Sequence, residues 1–167
     1  GRDTFSLLMV GGTNAFLVGF LSVGLGAAVG TFLGLIAAIP SYHHPFQETF
    51  DELLMRITDI IFAFPVIISA ILIVTTIGPG ITAAVLAIAI FNIPVVARLF
   101  PSTVKKRWLN EIAVASKAVG RTSYQITWSH ILPNILAPLI IQATSQFGLA
   151  ILADAALSYL GLGVQPP

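Results

Sequence analysis

The chain of 167 residues contains no cysteine, which excludes disulfide bonds, thiolate metal sites and a cysteine nucleophile. It is also short of charge. Eight basic and seven acidic residues make up 9% of it, against roughly 25% in a typical soluble domain. So few charges cannot cover the surface of a soluble domain, which argues against a cytosolic enzyme, a nucleic-acid binder and a disordered segment. A formal net charge of +1 offers nothing to a polyanion. The sequence has no Walker phosphate loop, no Gly-x-Gly-x-x-Gly fingerprint and no serine–histidine–acid set, so it shows no hydrolase or ATPase chemistry of its own. Hydrophobic residues, by contrast, make up 56% of the chain, and a membrane protein accounts for both the shortage and the excess.

The positions of the charges divide the chain. Histidine aside, nothing ionisable lies between Asp3 and Glu48, between Asp59 and Arg98, or between Arg121 and Asp154, gaps of 44, 38 and 32 residues. One span needs about 20 apolar residues. The middle gap holds two spans, because Gly78-Pro79-Gly80 breaks any helix. The expected architecture is an all-α, polytopic membrane helix bundle with four spans. They run from Asn14 to Ile39, Leu53 to Ile77, Ile81 to Phe100 and Asn134 to Ala156. The first is roughly 39 Å long at about 1.5 Å per residue, so it tilts or overshoots the bilayer.

Basic residues set the expected orientation. Arg98, Lys105, Lys106, Arg107, Lys117 and Arg121 fall between the third and fourth spans with Glu111 as the one acid, six positive charges against one negative. The positive-inside rule places this loop, residues 101–132, in the cytoplasm and both ends of the chain outside. Within it, Trp108 to Val119 reads as a helix that Gly120 stops. Thr122 or Ser123 then caps a second short helix reaching about His130, and Pro133 opens the next span. A short rigid element of this kind suits docking to a partner, and equally a solvated amphipathic loop on anionic lipid.

Several residues inside the spans invite a role. Ser22, Gly26, Gly30 and Gly34 recur every fourth position, a face that lets another helix come close, here expected at a subunit interface or a pathway. Pro65 and Pro94 permit kinks. Asp59, one turn after Arg56, reads as half of a local ion pair or as a gate. Asn92, Gln142, Gln146 and Asp154 are candidates for lining a pathway, since buried polar groups in membrane helices seek partners. His43 and His44, with Glu48 and Asp51 nearby, raise the question of a metal. Adjacent residues of a helix or strand diverge, however, and no third ligand has convincing spacing, so no metal site is expected.

The loop resembles the Glu-Ala-Ala motif of ABC importer permeases, the binding-protein-dependent inner-membrane components. In that motif Glu-Ala-Ala-x-x-x-Gly is followed, nine residues later, by Ile-x-Leu-Pro. Here Val114-Ala115-Ser116 take the first three places, Gly120 is the glycine, and His130-Ile131-Leu132-Pro133 close it at the same spacing. Val114 replaces the acid and Ser116 the second alanine, while Glu111 lies one turn too early. Gly1-Arg2-Asp3, Met55-Arg56-Ile57-Thr58-Asp59 with Pro65, His130-Ile131-Leu132-Pro133-Asn134, and Leu157-Ser158-Tyr159-Leu160-Gly161-Leu162-Gly163 are similar to the dipeptide, oligopeptide and nickel permeases, in their "C"-type subunit.

The resemblance implies a single permease domain over 1–167, incomplete at both ends and holding the second to fifth of six spans. It implies a segment that couples to an ATPase subunit: Ala113, Val114, Ala115, Ser116, Lys117, Ala118, Val119, Gly120, Arg121, Thr122, Ser123 and Tyr124, with His130, Leu132 and Pro133. Lys117 and Arg121 would be rim charges there. The implied partners are a second, homologous permease subunit, two ATP-binding subunits that carry ATP and Mg²⁺, an extracytoplasmic substrate-binding protein and membrane lipid. No cofactor on this chain and no nucleic acid are expected. A passive channel or a membrane scaffold with a lipid-binding loop would explain the hydropathy but not the Gly120-to-Pro133 spacing.

Overall fold

The computed structural model describes residues 4–38, 45–108 and 111–163. His43 and His44 lie outside them, as do the side chains of Glu48 and Asp51, and among the described residues no group of acids and histidines is placed to hold a metal ion. Among the described residues seven helices follow one another: α1 Thr4–Ala38, α2 Pro45–Ala63, α3 Val66–Ile77, α4 Ile81–Trp108, α5 Glu111–Ala118, α6 Ser123–Ile126 and α7 Leu132–Tyr159. A π-helical turn over Thr127–Ile131 joins α6 to α7. No strand occurs among the described residues. Three runs are long and apolar enough to cross a membrane, within Thr4–Ala37, Ile81–Phe100 and Ser123–Tyr159, and α2 with α3 form a bent fourth.

Four boundaries differ from the sequence expectation, each for a physical reason. Helix α1 begins at Thr4, ten residues before Asn14, because its polar residues need no loop: Thr13 Oγ1 donates back to the Met9 carbonyl at 2.9 Å. The second span is not one helix. It breaks at Phe64-Pro65, and its two halves meet at 90°. Pro65 has no N–H to continue the ladder, and the residue before a proline is pushed out of the helical region. Helix α4, conversely, runs through both Pro94 and Pro101 to Trp108, so Lys105 to Arg107 belong to a helix rather than a loop. Buried helices tolerate such prolines when neighbours support the backbone. Last, Pro133 stands in the first turn of α7, as expected, but α7 continues from α6 through the π turn without a break. Residues 123–159 form one run, and the π turn lies just before the proline, where an α-helical Pro133 ring would crowd the Ser129 carbonyl.

The core is built on α4, against which α1, α2, α3 and α7 all pack. The small-residue stripe of α1 faces α4 within the chain, not a second subunit. A Cβ added to Gly30 would sit 2.7 Å from the Ile93 carbonyl oxygen, and one on Gly34 would sit 2.7 Å from that of Ala97. Ser22, on the same stripe, is fully buried and donates to the Val18 carbonyl at 2.6 Å. Apolar clusters extend this seam. Val18, Val23, Ala84, Val85, Ile88 and Ala150 join α1, α4 and α7. Ala70, Val74, Ala83, Ala87 and Leu157 join α3, α4 and α7.

Gly30→Leu is expected to lower the stability of the chain in detergent by about 1–3 kcal/mol through overpacking. Gly24→Ala, on the same helix with nothing within 4 Å of the new carbon, should be neutral or slightly stabilising, by up to about 1 kcal/mol. Thermal unfolding of the two variants side by side checks both.

Candidate functional site

The segment after α4 is a helix, a tight turn and a second helix. Helix α5 ends by paired capping bonds: the Gly120 amide donates to the Lys117 carbonyl at 3.0 Å, and the Arg121 amide to that of Ser116 at 3.2 Å. This pattern needs a left-handed residue at the turn. Gly120 supplies it with φ +84°, so the glycine of the motif has a backbone reason to be there whatever binds the loop. Thr122 then caps α6. Its Oγ1 accepts from the Gln125 amide at 3.4 Å, and Gln125 Oε1 accepts from the Thr122 amide at 3.1 Å, a reciprocal capping box. Gln, not the usual Glu, closes that box, and Ser123 becomes the first helical residue rather than the cap.

One side of this element is anchored. Ile126 and Ile131 are buried with Val96 and Phe100 of α4 and Ile135 of α7. The other side is apolar and open: Val119 is 83% exposed and Val114 59%, with Ala115, Ala118, Gly120 and Tyr124 also exposed. Ser116 is half-buried. The side chain of Ala113 lies outside the described residues. Lys117 and Arg121 are exposed, but Arg121 is more than a rim charge. Its Nη1 donates to His130 Nε2 at 3.2 Å, across the nine-residue spacer of the motif. A guanidinium can only donate, so His130 accepts on Nε2. Asn134 Nδ2 in turn donates to the His130 carbonyl at 2.6 Å. Leu132 is half-buried and Pro133 exposed at the start of α7.

The five candidate pathway residues do not converge on one place. Asn92 and Gln146 line a common cleft of about 390 Å³ between the bent pair, α4 and α7, whose other walls include Phe62, Val66, Ile67, Phe91 and Leu152. Asn92 is buried. Its Nδ2 donates to the Ile88 carbonyl at 3.1 Å, while its Oδ1 has no hydrogen-bond partner. Gln142 and Asp154 stand on α7 but not in the walls of that cleft, and Asp154 is buried with Oδ1 likewise unpartnered. Asp59 pairs with Arg98 of α4, not with Arg56 of its own helix. The Arg98 guanidinium also lies over the Phe62 ring, 5.5 Å from its centre. Sequence spacing shows neighbours three and four residues apart, so it offered Arg56. A partner 39 residues away is set by how α2 leans on α4.

Residues 30–167 match the sequence pattern of the binding-protein-dependent transport system inner membrane component family. The chain belongs to that family. Among curated proteins, this inner membrane component is 45% identical over its whole length to the dipeptide transport system permease protein DppC of Alkalihalophilus pseudofirmus, covering 53% of that protein. It is 40% identical to the di/tripeptide transport system permease protein DppC of Pseudomonas aeruginosa, covering 53%. It is 38% identical to the glutathione transport system permease protein GsiD of Escherichia coli O157:H7, also covering 53%. The chain thus spans about half the length of the relatives it matches. Its fold is that of a chain in an inward-facing structure of the MetNI methionine ABC transporter, with a TM-score of 0.83 at 21% identity, over 98% of this chain and 79% of that one. Glutathione was not expected from the sequence, and none of these relatives is named for nickel.

Thr122→Ala removes the cap of α6 and is expected to cost about 1 kcal/mol locally. Hydrogen exchange at the Gln125 amide should speed up by roughly fivefold, with exchange in α1 unchanged.

Proposed function

We propose that this inner membrane component is the core of a permease subunit of an ATP-driven importer of short peptides, with glutathione-like peptides in the same class. The observation that carries the reading is the two-sided loop. Ile126 and Ile131 fix it to α4 and α7, while the Val114–Val119 face projects away from the bundle. The family, and relatives named for peptide and glutathione transport, support the same reading.

The loop faces the cytoplasm and seats in a groove on an ATP-binding subunit. Val119, Val114 and Ala115 make the apolar contact, and Lys117 adds orientation at its edge. The chain pairs with a homologous, non-identical permease. Two ATP-binding subunits hold ATP and Mg²⁺, and a substrate-binding protein delivers cargo from outside. Closure of the nucleotide subunits moves the docked loops. Because α5 and α6 are capped and pinned, that motion passes into α4 and α7 instead of bending the loop, and access alternates between the two faces of the membrane. The chain performs no chemistry. It converts one conformational equilibrium into another.

Val119→Glu tests this with little effect on the fold, since the side chain is exposed. In the reconstituted full complex, uptake and binding-protein-stimulated ATP hydrolysis should each fall at least about tenfold, because a buried unpaired charge in the groove costs more than about 1.4 kcal/mol. The two permease subunits should still co-purify. Uptake and stimulated hydrolysis at the wild-type level would instead favour a passive channel or a lipid-bound scaffold.

A further inference from the structure

The cleft between the bent pair, α4 and α7 has one wall residue that also belongs to a charged cluster. Phe62 lines the cleft, and its ring lies under the Arg98 guanidinium. Arg98 is simultaneously bonded to Asp59, three residues before Phe62 on the same helix. One cation of α4 therefore holds two side chains of the last turns of α2, just before the break at Phe64-Pro65. Leu54 adds an apolar contact lower on α2, packed with Ala37 of α1 and with Ala97, the neighbour of Arg98. Beyond the break, α3 is held separately, by Ala70 and Val74 against Ala83 and Ala87 of α4 and Leu157 of α7.

The surroundings decide how firm this tie is. An exposed ion pair in water contributes little. Here the flanking exposed residues Ile57, Ile60 and Phe64 are apolar, and Arg56, also exposed, stands one turn before Asp59. Lipid or another apolar surface beside the pair leaves Arg98 no good alternative partner, so separating it from Asp59 is costly even though Asp59 can turn back to Arg56. Arg98 also sits ten residues before the end of α4, the helix that leads directly to the docking loop.

We propose that Asp59 and Arg98 are positioning residues that tie the α2 limb of the bent pair to α4, so that movement of the loop end of α4 shifts Phe62 and resets the cleft that Phe62 walls. The tie is permanent, and the break at Phe64-Pro65 takes up the change of angle. This rests on the transport reading, but adds a specific route from the loop to the cleft. It also explains why the partner is Arg98: a pair with Arg56 would stay within α2 and transmit nothing.

The experiment is made in the full-length chain within the reconstituted complex. Residues 1–167 carry no cysteine, so Asp59→Cys with Arg98→Cys introduces two thiols that a bifunctional methanethiosulfonate can bridge reversibly. Unbridged, the assembled complex should hydrolyse ATP but import at least about tenfold less peptide per ATP, the equivalent of about 1.4 kcal/mol of lost coupling. Bridged, the same sample should recover to within about threefold of wild type, and reductant should abolish the recovery. Wild-type import per ATP in the unbridged complex overturns the proposal, and so does a defect that bridging does not repair. If the cysteine pair prevents assembly, the reversed pair Asp59→Arg with Arg98→Asp decides beside Arg98→Ala, since it restores an ion pair that alanine removes. A loss of at least about tenfold in import per ATP with Arg98→Ala that the reversed pair repairs to within about threefold supports the tie, and wild-type import with Arg98→Ala, or a loss that the reversed pair leaves, overturns it. Val119→Glu in the same preparation separates the two claims: if it changes nothing, the docking reading has failed independently of the clamp.

Discussion

The close approach of α1 to α4 is the contact on which the rest of this structure depends. Between membrane helices the hydrophobic effect supplies no driving force, because lipid tails are as apolar as leucine, and association relies on dense van der Waals packing. Gly30 and Gly34 let the α4 backbone come so near that even one added carbon would meet a carbonyl oxygen. That seam keeps α4 continuous through Pro94, whose side chain is fully buried. With α4 fixed, it becomes the common surface for α2, α3 and α7, and each apolar cluster of the core includes residues from it.

A rigid central helix gives the ends of the chain something to act on. The basic-loop end of α4 carries Arg98 and Phe100, which hold α2 and α6 respectively. The loop between α5 and α6 has little freedom of its own, since a capped turn, a capping box and the Arg121–His130 bond define its path. Each of these is worth only about 0.5–1.5 kcal/mol as a net hydrogen bond. Their effect is geometric: they remove soft joints between the exposed Val114–Val119 face and the bundle. A soft joint remains at Phe64-Pro65, where the helix ladder is interrupted.

Much of this was legible in the sequence, because lipid leaves few choices. The shortage of charge and the uncharged gaps gave the spans, Gly78-Pro79-Gly80 separated α3 from α4, and the glycine period of α1 marked a packing face. Gly120 and Thr122 disclosed the turn and the cap. What sequence could not show was direction in three dimensions. The glycine face reads as a subunit interface or a pathway but packs inside the chain, since period reveals a close approach but not who approaches. Pro65 and Pro94 read alike, yet one breaks its helix by 90° and the other leaves it continuous. The difference lies in support: Pro94 is buried against neighbours, whereas Pro65 is exposed. Spacing offers Asp59 the nearer cation or a gate rather than Arg98, and it offers Gln142 and Asp154 a pathway whose cleft they do not enter.

The central claim is that the Val114–Val119 face is covered by an ATP-binding subunit. Its most direct measurement is labelling of Val119→Cys by a membrane-impermeant maleimide, with the cytoplasmic face accessible, in the assembled complex and in the permease pair alone. The account predicts ready labelling of the pair alone, as an 83% exposed side chain requires, and strong protection once the ATP-binding subunits are present. Equal labelling in both would contradict it.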